Sequence, residues 1–129
     1  MKIQVFSHDL FGQIRCLEKD GQPWFVGKDV AMVLGYASPS KAIVDRVDAE
    51  DKQFEMLEAH YQNGNLLNKT RTAIINESGL YALILSSKLP QAREFKHWVT
   101  AEVLPQIRHT NIALQRYIDK GLLEIDEQP

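Results

Sequence analysis

The first 26 residues mix apolar and polar positions in short runs, which is the pattern of β-strands. Asp20-Gly21 is a tight-turn signal before the last of these runs. Trp24 and Phe25 would point to opposite faces of that last strand, and at least one of them is expected to anchor the core. The pattern therefore predicts a small antiparallel β-meander with strands near residues 3–6, 13–17 and 23–26.

The spacing of apolar residues then lengthens to that of helices. Residues 29–34 predict one short helix, because Gly35 follows where a helix end favours left-handed backbone. Ser38 and Pro39 suit the N-cap and first position of a second helix, which extends to about Val47. Two short helices joined in this way have the proportions of a helix-turn-helix, although many such pairs are purely structural.

Residues 48–69 carry the weakest pattern in the chain. A strand over residues 52–57, a turn at residues 63–65 and a returning strand over residues 70–75 predict a hairpin or wing with a long tip.

Two more helices are predicted in the second half of the chain. Asn76 is the expected N-cap of the first, which has an apolar face over residues 80–84. Pro90 opens the next helix, which runs to about Val103 before Pro105 stops or kinks it.

Together these elements predict an α+β fold: a small antiparallel β-meander and a hairpin packed with four to five short α-helices, including the helix-turn-helix-like pair. The 129 residues suffice for one domain that buries its own core. That domain is expected over residues 1–110, and residues 111–129 are expected to form a C-terminal helix and an acidic tail. With 44% apolar and 25% charged residues, the composition excludes a disordered chain, a collagen-like repeat and a coiled-coil rod.

The N-terminal residues lack the long apolar core of a signal peptide, and the longest apolar run, residues 80–85, is too short to span a membrane. Cys16 is the single cysteine, so an intramolecular disulfide is excluded. We expect Cys16 to be a small buried side chain on a strand, and we expect the protein to be cytoplasmic, without a membrane partner.

The net charge of −2 excludes a chain-wide basic surface, but the charges are unevenly distributed. Residues 45–58 contain six acids and two bases, whereas residues 61–118 contain seven bases and three acids. If the fold gathers the bases of the second segment on one side, that side could contact phosphate. The alternative is that they are ordinary solvated charges spread over the surface.

The chain lacks the motifs of common enzymes and metal sites. It has no glycine-rich phosphate loop, no Gly-x-Ser-x-Gly, no His-Glu-x-x-His and no Cys-x-x-Cys. Glu94 and His97 have the spacing of half a metal site, but no second helix supplies the other half, so a surface pair is expected. We therefore expect no enzymatic activity and no cofactor.

Several blocks of sequence resemble one family, the BRO family N-terminal (Bro-N) domain of phage antirepressors and baculovirus proteins. Their order and spacing match that family over about residues 3–110. The blocks are residues 21–31 (GQPWFVGKDVA), 34–36 (LGY), 75–84 (INESGLYALI), 87–90 (SKLP), 92, 95–99 (FKHWV) and 103–108 (VLPQIR).

The resemblance implies a compact α+β domain that binds double-stranded DNA and serves in transcriptional regulation or antirepression in prophages and large DNA viruses. The first hypothesis is therefore a phage-type regulator that binds DNA through a local basic surface. Its candidate contacts are the polar residues expected to be exposed: Ser40, Lys41, Arg46, Lys69, Arg71, Lys88, Arg93, Lys96 and Arg108. A homodimer would match two half-sites in the DNA, although the sequence indicates no interface.

The second hypothesis is a protein-interaction module, because an antirepressor can act by binding a phage repressor rather than DNA. The acidic residues 45–58 and the acidic tail would suit a basic surface on such a partner.

Overall fold

The computed structural model describes residues 3–60 and 63–107, the side chains of residues 59 and 60 excepted. Within these residues, five strands form one antiparallel sheet and four α-helices pack with it. This confirms the predicted α+β fold. The expected domain end at residue 110 and the helix and tail over residues 111–129 lie outside the described residues.

The sheet contains the predicted meander and the predicted hairpin. Its strands are β1 (Ile3–His8), β2 (Gly12–Lys19), β3 (Gln22–Val26), β4 (Lys52–His60) and β5 (Leu66–Ile75). Their order across the sheet is β1-β2-β3-β5-β4, so the hairpin joins the meander through β5. The hairpin strands are longer than the sequence pattern indicated, and residues 61–65 alone connect them. The predicted long tip was therefore wrong, because exposed polar residues such as Asn68 and Lys69 extend the strand pairing without any apolar alternation.

The four helices are α1 (Gly27–Val33), α2 (Pro39–Arg46), α3 (Glu77–Ser86) and α4 (Ala92–Trp98). A short 3-10 turn, Ala49–Asp51, connects α2 to β4.

The turn between α1 and α2 follows the predicted signals. Gly35 has φ +80°, a left-handed conformation that costs glycine little. Ser38 is the N-cap of α2 and Pro39 is its first residue. The Ser38 side chain makes no capping hydrogen bond, so the fixed φ of Pro39 and the burial of Ala42 and Ile43 favour the start of α2 more than the serine hydroxyl does.

One polar junction connects β5, α3 and the 3-10 turn. The Asn76 side-chain oxygen accepts a hydrogen bond from the Gly79 amide at 2.9 Å, which confirms Asn76 as the N-cap of α3. The Asn76 side-chain amide donates to Asp51 Oδ1 at 3.2 Å, and its backbone amide donates to the Asp51 carbonyl at 3.1 Å. The start of α3 is thereby held against the turn that leads into β4.

The main core lies between the sheet and the helices. Phe25, Ile14 and Ile75 point from the sheet toward Leu80 and Leu83 of α3, and all five side chains are buried. Trp24 points to the opposite sheet face, where it forms a second buried cluster with Leu17 and Ile74. Both aromatic residues of β3 therefore anchor apolar clusters, one on each face of the sheet.

The last described helix continues past Pro105 instead of stopping there. The helix begins at Ala92, two residues after Pro90, and widens into a π-helical segment at Val99–Val103 before residues 104–107 resume the α-helix. Proline lacks an amide hydrogen and its ring crowds the carbonyl four residues earlier, and a π-helical segment relieves both conflicts. Burial of Val103, Leu104 and Ile107 stabilises the helix beyond Pro105.

Gly79 allows α3 to approach the sheet closely. A Cβ atom at Gly79 would lie 3.0 Å from Ile75 Cβ, 3.0 Å from Val47 Cγ1 and 3.2 Å from the Asp51 carbonyl oxygen.

Gly79→Ala is expected to lower the free energy of unfolding by about 1–2 kcal/mol, since overpacking outweighs the gain in helix propensity. Urea unfolding measures the change. Ser78→Ala, at an exposed position of the same helix, is the control and should change it by less than about 0.5 kcal/mol.

Cys16 is fully buried in the core, as predicted. Burial raises the pKa of its thiol to about 12, and the charge of Asp29 adds to the shift. We expect the native protein to react with a thiol reagent at pH 8 only as fast as it unfolds, because the reactive thiolate is suppressed and inaccessible. One thiol should react at once in denaturant. Ser7→Cys, exposed on β1, should label immediately in the native state, and equally fast labelling of Cys16 would contradict the assigned burial.

Candidate nucleic-acid interface

An open groove lies between α2 and the β4–β5 hairpin. β3 pairs with β5 only through Phe25–Ile75 and Val26–Ile74, because the chain turns into α1 at Gly27. Beyond that point, no described strand pairs with the meander-facing edge of β5. A cavity of about 460 Å³ lies there, lined by Val26, by Ser40, Ile43 and Val44 of α2 and by residues of both hairpin strands.

The charged side chains that line this groove are predominantly basic. Apolar side chains such as Ile43, Val44 and Leu57 form part of its wall. One acid, Glu58, and four bases line it. We call the cavity lined by these four bases and Ser40 the basic groove; the bases are Arg15, Lys28, Lys52 and Arg71.

Arg15 is held in place by Asp29, in the first turn of α1. The guanidinium donates through Nε to Asp29 Oδ2 at 2.8 Å and through a terminal nitrogen to Oδ1 at 2.9 Å. The Arg15 backbone amide also donates to Oδ2, at 3.0 Å. The hydrogen bonds to Asp29 raise the pKa of Arg15. This bidentate ion pair connects β2 to the start of α1 and neutralises the charge of Arg15. Arg15 therefore helps to hold the elements around the groove in place and adds little net positive charge.

The other three bases of the groove have no acidic partner among the described residues. Lys52 Nζ donates to the Ile43 carbonyl at 3.4 Å, near the C-terminal half of α2. The Arg71 guanidinium lies over the Phe54 ring, 3.7 Å from its centre, which is a cation–π contact that orients the side chain. Lys28 is exposed at the start of α1. These three cations can bind an anion, and phosphate is the anion that such a mixed lysine and arginine set recognises well.

Three of the predicted contact residues lie at or beside this groove. Ser40 and Arg71 line it directly. Lys69 lies two residues before Arg71 on the same strand and pairs with Glu58 at 3.7 Å, which offsets the one acid of the lining.

Lys41 and Arg46 are exposed on α2 but do not line the groove. Lys41 pairs with Asp45 one helical turn later, at 3.0 Å. Burial raises the pKa of Tyr36, and the charge of Arg46, at the C-terminal end of α2, partly opposes that rise. The Tyr36 hydroxyl donates to the Leu83 carbonyl of α3 at 2.7 Å. Val47, directly after α2, lies beside Gly79, so this end of α2 faces α3.

The remaining predicted contacts belong to a different part of the molecule. Lys88 is exposed in the connection between α3 and α4, and Arg93 and Lys96 are exposed on α4. Arg93 lines a separate cavity beside His8 and Trp98, where Glu94 and Glu102 balance its charge. Arg108 lies outside the described residues. The structure thus separates the predicted set into a groove-side group and an α4-side group.

Sequence reasoning missed three of the groove's four bases: Arg15, Lys28 and Lys52. Arg15 lies within a strand of the meander. Lys52 lies in the acidic segment 45–58, whose net negative charge gave no indication of a basic contact. Lys28 lies in the GQPWFVGKDVA block, and its place between the predicted strand and the predicted helix was the one available signal.

The described residues hold neither a cluster of metal ligands nor a membrane-spanning helix. Within residues 3–60 and 63–107, no three histidine, cysteine, aspartate or glutamate side chains come together as metal ligands would. No helix in those residues is long and apolar enough to cross a membrane.

Comparison with known proteins identifies the family. An uncharacterized Bro-N domain-containing protein of Autographa californica nuclear polyhedrosis virus is 38% identical over 114 residues, covering 79% of this chain and 34% of the relative. An uncharacterized protein of Haemophilus influenzae is 37% identical over 102 residues, covering 73% and 44%. A putative Bro-N domain-containing protein of Invertebrate iridescent virus 6 is 37% identical over 109 residues, covering 74% and 26%.

The chain therefore spans less than half the length of each of these relatives. No solved structure matches it. The model of the BRO family N-terminal domain matches residues 13–105, which includes β3, both helices beside the basic groove and the whole hairpin. The chain belongs to the BRO family and carries its Bro-N domain.

Proposed function

We propose that this Bro-N domain binds double-stranded DNA through the basic groove and acts, without a cofactor, as a transcriptional regulator of the phage antirepressor type. The observation that carries the proposal is the meeting of Lys28, Lys52 and Arg71 at one groove, although they are far apart in sequence. None of them has an acidic partner among the described residues, so all three charges are available to phosphate.

The elements around the groove suit a duplex as the ligand. Helix α2 places Ser40 on one side of the groove, and the hairpin places Arg71, with Lys69 beside it, on the other. A helix with a neighbouring β-ribbon is a pair of elements that can contact a groove and its flanking phosphates. Because the whole chain carries a net charge of −2, the attraction is local and no strong nonspecific binding is expected.

The first test of DNA binding is its salt dependence. Fluorescence anisotropy with a random duplex should show binding at low salt that weakens steeply toward physiological salt. Three phosphate contacts correspond to a slope of about −3 in a plot of log affinity against log salt. A flat salt dependence, or no binding even at low salt, would contradict the phosphate-contact mechanism.

A second test asks which surface binds. Lys28→Gln and Arg71→Gln should each weaken binding to all duplexes alike and make the salt slope about one unit shallower, because each removes one phosphate contact. Lys88→Gln removes the same charge from the α3–α4 connection and is the matched control, for which no change is expected. The double variant Arg93→Glu/Lys96→Glu tests the α4-side group. If it weakens binding while the groove variants do not, the interface lies on α4 instead.

A second candidate function is binding to a repressor protein. The hairpin favours it, since four large apolar side chains stand about half exposed there: Phe54, Met56, Leu66 and Leu67. Asp45 near the end of α2, and Asp48 and Glu50 in the connection to β4, are exposed and would complement a basic partner. Recovery of a phage repressor that survives nuclease treatment would support this function, and purely DNA-dependent contacts would oppose it.

A further inference from the structure

In the part of the chain that the structure describes, the outer edge of β4 is a long strand edge with apolar side chains and no partner strand. β4 is the last strand of the sheet order, so among residues 3–60 and 63–107 no strand pairs with its outer side. Phe54 and Met56 are 51% and 57% exposed on this strand. Unpaired amide and carbonyl groups beside exposed apolar side chains are a template for another strand.

We propose that two copies of the chain dimerise by pairing their β4 strands in antiparallel fashion, with Glu55 of one copy opposite Glu55 of the other. Identical strands that pair in this way are related by a two-fold axis perpendicular to the sheet, so one register defines the whole interface. The proposal goes beyond DNA binding and does not depend on it.

The regular part of the β4 edge sets this register. The pairing of β4 with β5 is regular from Lys52 and shifts between Ala59 and His60. Such an irregularity bends a strand and ends its ability to extend a flat pairing. Residues 52–58 therefore form the usable edge, and Glu55 is its centre.

The side chains that this register brings together are complementary. On the face that carries the helices, Phe54 of each copy meets Met56 of the other, which is a favourable aromatic–thioether pair. On the same face, Lys52 of each copy lies opposite Glu58 of the other, so opposite charges lie at both ends of the interface. In such a dimer Lys52 is shared between this contact and the basic groove, whereas Lys28 and Arg71 stay available to phosphate. Shifting each strand by one residue would instead place Phe54 opposite Glu58 or Lys52 opposite Met56.

On the opposite face, the register places the two Glu55 side chains beside each other, which opposes pairing. The Lys19 ammonium forms an ion pair with Glu55 within each copy, and this contact offsets the repulsion. The pairing should consequently tighten when the charge of Glu55 is removed.

The other sheet edge is a weaker candidate for the same role. β1 is shorter, and Val5 is its one large apolar side chain that is mostly exposed. Val5 also points away from the face that carries the helices, since it pairs with Arg15 rather than with a core residue. Pairing through β4, by contrast, would cover two large exposed apolar side chains, Phe54 and Met56, on the face that carries the helices.

Sedimentation equilibrium of the full 129-residue chain without DNA tests the dimer separately from the proposed function. We expect a concentration-dependent dimer. Met56→Lys should weaken it roughly tenfold or more, because a charge replaces the apolar partner of Phe54. Met32→Lys, at a position 59% exposed on α1, is the matched control and should leave the dimer intact. Glu55→Gln should strengthen it. A monomer at all concentrations, or a dimer insensitive to Met56→Lys, would overturn the proposal.

Cross-linking tests the register. In Glu55→Cys the two new thiols lie across the two-fold axis, where directly opposite Cα atoms are about 4.5–5.5 Å apart and a disulfide forms readily. Gln53→Cys places the same residue two positions from the axis, too far from its copy, and the native Cys16 is buried. Mild oxidation should give a covalent dimer with Glu55→Cys alone. Equal cross-linking of Gln53→Cys, or none with either variant, would show that the register is wrong.

Discussion

The relative positions of the hairpin and the helices depend on the junction of Asn76 with Asp51. Asn76 directly follows β5 and caps α3 through its side-chain oxygen. Its backbone amide and its side-chain amide both donate hydrogen bonds to Asp51. Asp51 ends the short turn between α2 and β4. The Asp51–Asn76 pair thus holds together the start of β4, the end of β5 and the turn that follows α2. Gly79 completes the junction because the absence of a Cβ lets α3 lie against Ile75 and Val47.

The basic groove follows from this arrangement. β3 leaves the sheet after two residue pairs with β5, because the chain turns into α1 at Gly27. The rest of β5 is thereby left with an open side, and α2 lies across the gap. The same geometry leaves β4 as an edge strand with Phe54 and Met56 exposed. Both features follow from how the hairpin joins the meander. The short overlap of β3 with β5 opens the proposed DNA-binding groove, and attachment through β5 leaves β4 as the proposed dimer edge.

Much of the fold was predictable because its signals are local. The left-handed Gly35, Pro39 at the start of α2 and Asn76 as the cap of α3 each act on neighbouring backbone groups, so the sequence alone identifies them. The hairpin length and the passage of the last helix through Pro105 were not predictable in this way. Pairing with the neighbouring strand stabilises the polar ends of the hairpin strands far from the core. Burial of Val103 and Ile107 favours the π-helical segment. Neither contribution can be recognised from a local sequence pattern.

The sequence by itself determined the α+β class, the family blocks and the presence of separate basic and acidic segments. Only the tertiary structure decided which charges act together. Lys28, Lys52 and Arg71 come from three elements that long-range pairing brings to one groove, whereas Arg93 and Lys96, equally basic and exposed, lie on a helix that packs elsewhere. Charge acts through distance in space, and the chain order of residues reveals that distance only within single helices, strands and turns.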